Sequence, residues 1–414
     1  MLRSMYSGIS GMKNFQTKLD VIGNNIANVN TYGFKKGRVT FKDAMSQTIS
    51  GALSAQGNRG GVNPKQVGLG SQVATIDTIH TEASMQSTGR SLDLAINGDG
   101  YFVFKEGDKY LYSRAGNFYL DEYGTLVNSD GYKVQAFDPN GELKDVTVNV
   151  NAVMPYVQTT SISLSGNLSS SAGDKFIYSQ QFEVVDVTGN SHRVNLYFVH
   201  NRDEKKWDVY FTDPSTIDTD AVDPAFTIDF NGNKPVVKDK NDDTISTVDL
   251  NGNPIVTIDL PLTDINGTLE NITLNLGGLT YVAGTNDALA IPDGNTEGQL
   301  ESFNIGSRGE INGIYSNGLV SVLGYLAIAK FSNSSGLQST GGNLFQATVN
   351  SGDANIGIAG DGRGSIVTER LEMSNVDLSE EFTEMIVAQR GFQANTRIIT
   401  TSDEILQELV NLKR

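Results

Sequence analysis

The chain has 414 residues, 38% of them hydrophobic, and a formal net charge of −17. Its length suits about two to four domains with packed cores, and its acidity argues against nucleic acid or an anionic membrane surface as a partner. Cysteine is absent, which excludes disulfides, thiolate metal sites and cysteine nucleophiles.

At the start, Met5, Met12, Leu19 and Ile26 recur every seven positions, beside a second row of Leu2, Ile9, Gln16 and Gly23. A seven-residue apolar period lays a narrow seam along a helix, as in coiled coils. An amphipathic helix lying on an ordinary core is the plainer alternative. Gly8, Gly11, Gly23, Asn24, Asn25 and Asn28 are poor helix formers, so this segment depends on neighbours. The opening MLRSMYSGISGMK lacks the continuous apolar core of a secretory signal, and no run approaches the ~18 apolar residues of a membrane span.

Residues 31–72 are rich in Gly, Ser, Gln and Asn and read as an extended connector with little core of its own. Phe34, Val39, Phe41 and Met45 give part of it something to dock with. From Val73 the period becomes two. Asn-Gly or Asp-Gly pairs start at Asn97, Asp99, Asp130, Asn140, Asn231, Asn251, Asn266, Asp293, Asn312, Asn317 and Asp361, and nowhere in the terminal stretches. These are hairpin signals. Leu92 to Ile96, Tyr101 to Phe104, Tyr110 to Arg114 and Phe118 to Leu120 read as short strands of an inner β domain built from 73–152 and 299–374.

Residues 153–298 read as a second β domain inserted into the first, with a meander over Phe182 to Val187, Val194 to Val199 and Trp207 to Phe211. This segment holds 21 acidic against 8 basic residues, a net −13, which suits an outer, solvated surface. Ile311 to Tyr315 and Leu323 to Phe331 return to the inner domain. The last helix opens near Asp377, a capping residue, with Glu380 and Glu381 in its first turn and Lys413 and Arg414 at its end. It repeats the heptad in Leu378, Met385, Phe392, Ile399 and Leu406, beside Phe382, Gln389, Thr396, Asp403 and Val410. The expected fold class is therefore multidomain α+β: a helical coiled coil from 1–30 and 375–414, and mainly antiparallel β domains, the outer inserted into the inner.

Catalytic patterns are thin. His80, His192 and His200 sit in strand-like or turn contexts, and no HExxH, GxSxG or Walker lysine occurs. The turns at Asp229 to Gly232 and Asp249 to Gly252 lack the glycine and distal glutamate of a calcium loop. Gly360 to Gly364 precedes strand-like Ile366-Val367, so it reads as a tight turn rather than a phosphate cradle. The expectation is a protein with no catalytic residue, metal or cofactor.

Leu19-Asp20-Val21-Ile22-Gly23-Asn24-Asn25-Ile26-Ala27-Asn28-Val29-Asn30-Thr31 resembles the N-terminal signature of bacterial flagellar rod and hook proteins. Ser374 to Leu378 and Met385-Ile386-Val387-Ala388-Gln389-Arg390-Gly391-Phe392-Gln393-Ala394-Asn395 resemble their C-terminal signature. Asn24, Asn25, Asn28, Asn375, Gln389, Arg390 and Asn395 stand at motif positions. The insertion, with Asp186 to His192 and Trp207 to Tyr210, resembles the hook members, whereas 216–249 departs from any shared pattern.

The resemblance implies a structural subunit of a curved, flexible tubular homopolymer, a universal joint carrying torque from rod to filament. It implies export through the flagellar type III apparatus without a cleaved signal peptide and an extracellular place on the flagellar basal body. Its partners would be copies of itself and the rod, hook-cap and hook–filament junction proteins, with no membrane insertion. On that reading the polymer seam runs through Leu2, Met5, Ile9, Met12, Leu19 and Ile26 and through Leu378, Phe382, Met385, Phe392, Ile399 and Leu406. Alternatives are a distal rod protein or, from another class, a secreted β-rich adhesin or hydrolase trimerised by its helices.

Overall fold

A computed structural model describes residues 2–412 apart from 55–56, 58–59, 150, 203–204, 215–222, 232–233, 239–243, 246, 249–253 and 262–267. The basic helix end at Lys413 and Arg414, the turns at Asn251 and Asn266, and much of 216–249 lie outside the described residues. The fold is mostly antiparallel β with one helix at each end of the chain. It divides into two compact units: Met1–Val150 with Phe303–Gly313 and Val320–Arg414, and Asn151–Ser302 with Ile314–Leu319.

In the first unit, helix α1 (Leu2–Ala27) leads through a turn at Gly33 into a paired ribbon. Gly33 has φ +70, and a Cβ there would lie 2.6 Å from the backbone nitrogen of Ala115. Strand β1 (Gly37–Asp43) precedes a hairpin of β2 (Ser46–Ser50) and β3 (Lys65–Gly68), and β4 (Ser71–Thr78) returns antiparallel along β1. The stretch read as an extended connector thus satisfies its backbone as strands, β2 with β3 inside it and β1 with β4, which runs on beyond it; the β-branched Val39 and Thr40 stand opposite Ile76 and Thr75 in that ladder. The two strands β2 and β3 are exposed throughout.

Short β5 (Met85–Ser87) pairs with Arg370–Glu372, and β6 (Leu94–Asn97) pairs with Ser365–Thr368. A hairpin of β7 (Tyr101–Glu106) and β8 (Lys109–Ser113) follows. Tyr101, Phe102, Val103 and Phe104 are all buried, so β7 is covered on both faces. Tyr101 and Val103 join Tyr112, Phe331 and Phe345 in one cluster. Phe102 meets Phe118 edge to face at 5.0 Å between ring centroids. Helix α2 (Leu378–Asn411) is capped by Asp377, whose carboxylate accepts from the Ser379 and Glu380 amides at 2.8 and 3.4 Å.

The second unit contains two five-stranded sheets. One is a meander over Ile177–Val185, Ser191–Asn201, Lys206–Tyr210, Phe226–Asn231 and Lys234–Lys238. In the other, Ser161–Asn167 runs parallel to Thr268–Thr280 and antiparallel to Leu289–Pro292, a parallel pairing within a mainly antiparallel fold. Alternate residues of the strands, such as Val194, Leu196 and Phe198, join Trp207, Phe226, Ile162 and Leu274 in one buried core.

Candidate assembly interface

The two chain ends lie against each other, running antiparallel. Gly8 meets the side chains of Ile398 and Ile399, and Gly11 meets the amide of Asn395. The Met12 sulfur lies 3.8 Å from the Thr396 hydroxyl. The Phe15 ring lies on Gly391, where a Cβ would come within 2.5 Å of it. Lys18 pairs with Glu384, Ile22 is buried, and the Asn25 amide donates to the Glu381 carboxylate at 3.2 Å.

This row of Gly8, Gly11, Phe15, Lys18, Ile22 and Asn25 has heptad spacing but is not the apolar row read from the sequence. On α1, Met5, Met12, Leu19 and Ile26 flank it, half-buried, and Ile9 is exposed. Leu2 is helical, with its side chain outside the described set. On α2, Met385, Phe392, Ile399 and Leu406 are half-buried, while Leu378 and Phe382 are exposed. The side facing α1 includes Glu381, Ala388 and Ser402, all buried. A glycine on one helix lets a side chain of the other come close, Asn395 at Gly11 and Phe15 at Gly391, which a count of apolar residues misses. The signal present in the sequence was the glycines themselves, Gly8 and Gly11 on α1 and Gly391 on α2.

The motif residues divide by use within the chain. Asn25 is 1% exposed and clasps Gly37: its Oδ1 accepts from the Gly37 amide and its Nδ2 donates to the Gly37 carbonyl, both at 2.9 Å. Asn28 donates to the Asn24 carbonyl and accepts from Thr31. Asn375 accepts from the Lys36 amide at 2.7 Å and donates to the Ile79 carbonyl at 2.8 Å. Asn395 donates to the Gly391 carbonyl one turn earlier. Asn24, Gln389 and Arg390 are exposed.

A charged cluster absent from the sequence reading joins both ends to the β-sheet. Glu372 and Lys35 have fully buried side chains, and that of Arg114 is 4% exposed. One Glu372 oxygen accepts from Lys35 Nζ at 2.6 Å and the Ala83 amide at 3.1 Å; the other accepts from Arg114 at 3.3 Å. Burial pushes the Lys35 ammonium below the usual lysine range, with Glu372 opposing. Buried charges are tolerable only when paired in this way. The partners are too distant in sequence for any local pattern to show them. No group of three metal-ligating side chains occurs among the described residues, and no described helix is long and apolar enough to cross a membrane.

Four family models match in sequence order: Flagella basal body rod protein at 5–35, Flagellar hook protein FlgE/F/G D1 domain at 95–170, Flagellar basal body protein FlaE D2 domain at 158–295, and Flagellar basal body rod FlgEFG protein C-terminal at 367–412. The chain is 38% identical to the flagellar hook protein FlgE of Treponema pallidum, over 100% of both chains. It is 40% identical to the flagellar basal-body rod protein FlgG of Bacillus subtilis, again over 100% of both. Against the Escherichia coli flagellar hook protein FlgE the identity is 35%, over 98% of both.

Proposed function

The chain belongs to the flagellar hook protein family and is a structural subunit of the flagellum, and from that premise we propose how it assembles. Copies associate through the helix surface that a single chain leaves uncovered. The observation carrying this reading is the second face of α2, where Phe382 is 50%, Ile386 58%, Val387 54% and Val410 66% exposed. Covering such side chains contributes about 1.5–3 kcal/mol each when complete, which favours a partner helix over water.

In this reading the terminal helices form a coiled-coil tube, with the half-buried rows Met5, Met12, Leu19, Ile26 and Met385, Phe392, Ile399, Leu406 completing the seam between copies. The segment 153–298, with its net charge of −13, forms the outside of the polymer, where like charges repel and keep neighbouring polymers apart. The product is the curved, flexible joint that passes torque from rod to filament. The subunit leaves the cell through the type III apparatus without a cleaved signal and contacts rod, cap and junction proteins at the ends of the polymer.

Phe382→Asp tests this. The monomer should keep its fold, because position 382 faces solvent, and lose tube formation in electron micrographs. Normal tubes from this variant would overturn the proposed seam. A distal rod segment is the second reading, favoured by the full-length rod relative; straight rather than curved polymers would select it.

A further inference from the structure

The segments flanking both terminal helices meet at Glu372. Lys35 lies shortly beyond the end of α1, Glu372 shortly before α2, and the Gly33 amide donates to the Glu372 carbonyl at 2.8 Å. Lys35 Nζ also donates to the Thr81 carbonyl at 2.7 Å, and next to that segment stands His80. We propose that this cluster is an acid-sensitive latch: a proton on His80 upsets the charge balance around Glu372 and frees both chain ends while the β core stays folded. The inference concerns the single subunit, so it holds or fails independently of the proposed polymer.

The geometry leaves His80 no means of carrying charge comfortably. Its Nδ1 lies 2.8 Å from the Tyr101 hydroxyl, and its ring packs edge-on against Tyr101 and Phe345, with centroids 5.9 and 5.3 Å away. Its Nε2 is buried without a hydrogen-bond partner among the described residues. The neutral ring leaves one nitrogen unsatisfied; the protonated ring would leave a charged donor so.

The charged groups around it are already committed. Lys35 and Arg114 share the one carboxylate of Glu372. Glu82, on the same segment as His80, accepts from the Gly98 amide at 3.0 Å. Asp99 pairs with Lys330 at 3.4 Å. A third cation would therefore face two others across one occupied anion. Repulsion falls on Lys35, the member with the least hold on the sheet, since Arg114 also donates to the Ile96 and Gly98 carbonyls.

Burial, with Lys35 and Arg114 behind it, lowers the His80 pKa from 6.5 to about 4. A base whose folded pKa lies below its unfolded one contributes stability that is complete above the unfolded pKa. That stability is lost as pH falls from 6.5 towards 4. Open forms with His80 exposed gain population across that window.

Amide hydrogen exchange of the full chain, corrected for intrinsic rates and followed from about pH 7 to about pH 4, tests the latch. Exchange in α1 and α2 should accelerate about tenfold to a hundredfold relative to β7 and β8. His80→Gln should shift that loss to lower pH. Loss along the wild-type curve in His80→Gln would overturn the proposal. Should that variant not fold, the His80 imidazole in the wild-type chain decides by NMR: titration together with the loss of protection supports the latch, and titration near pH 6.5 with the ends still protected overturns it.

Discussion

The two-sheet core of the second unit and the helix pair of the first solve the burial problem in opposite ways. In the sheets, Trp207, Phe198, Phe226 and Leu274 are wholly buried among other apolar side chains. In the helices, Ile22 and Ala388 are the buried apolar residues among the described positions, whereas Asn14, Asn25, Glu381 and Ser402 are buried polar ones. The sheets spend their apolar residues on one another. The helices meet through glycine contacts, amides and ion pairs and leave much of their apolar surface outside. A module that is finished alone hides its greasy side chains; one meant to be joined keeps them out.

The contrast can be broken by substitution. Trp207→Ala should cost the sheet unit about 3–5 kcal/mol, seen calorimetrically as a lower transition for that unit with the helical circular dichroism retained. A loss of helix signal at the same temperature would mean that the two regions are not independent. Next in size, Gly391→Ala places a methyl group against Phe15 and should cost the helix pair about 1–3 kcal/mol, read as reduced helicity with intact sheet signal. Phe15→Leu in the same chain should restore part of it, and no change in either variant would remove the glycine contact from the account. Smallest is Lys36→Ala, which deletes a partly exposed pair with Glu380 at 2.7 Å. It should cost less than about 1 kcal/mol and become silent in high salt; a salt-independent loss would show that Lys36 does something other than pair with Glu380.

What could be read from sequence follows the same division. Strands announce themselves by local alternation and by the glycine turns between them, so the expected Val194 to Val199 and Trp207 to Phe211 lie within or across Ser191–Asn201 and Lys206–Tyr210. Asp377 was visible as a cap because its ligands are its own next residues. The pairing of β2 with β3 was hidden, because a run rich in Gly, Ser and Gln looks the same whether it finds a partner strand or water. The α1 contact row was missed because glycine counts as nothing on an apolar scale, although its missing side chain is what lets Phe15 and Asn395 in. Glu372 was out of reach for another reason: whether a carboxylate is buried between Lys35 and Arg114 depends on three distant segments converging.

The antiparallel pairing of the first helix with the last has a consequence for synthesis. Translation delivers the chain from its amino end at about 5–20 residues per second, and hundreds of residues separate Phe15 from Gly391. The opening helix therefore waits roughly 20 to 70 s after leaving the ribosome before its mate exists. During that wait it is a sticky, unfinished end in a crowded cytosol. Each nascent chain thus carries α1 without its intrachain mate over that interval, the condition in which exposed apolar surface favours aggregation.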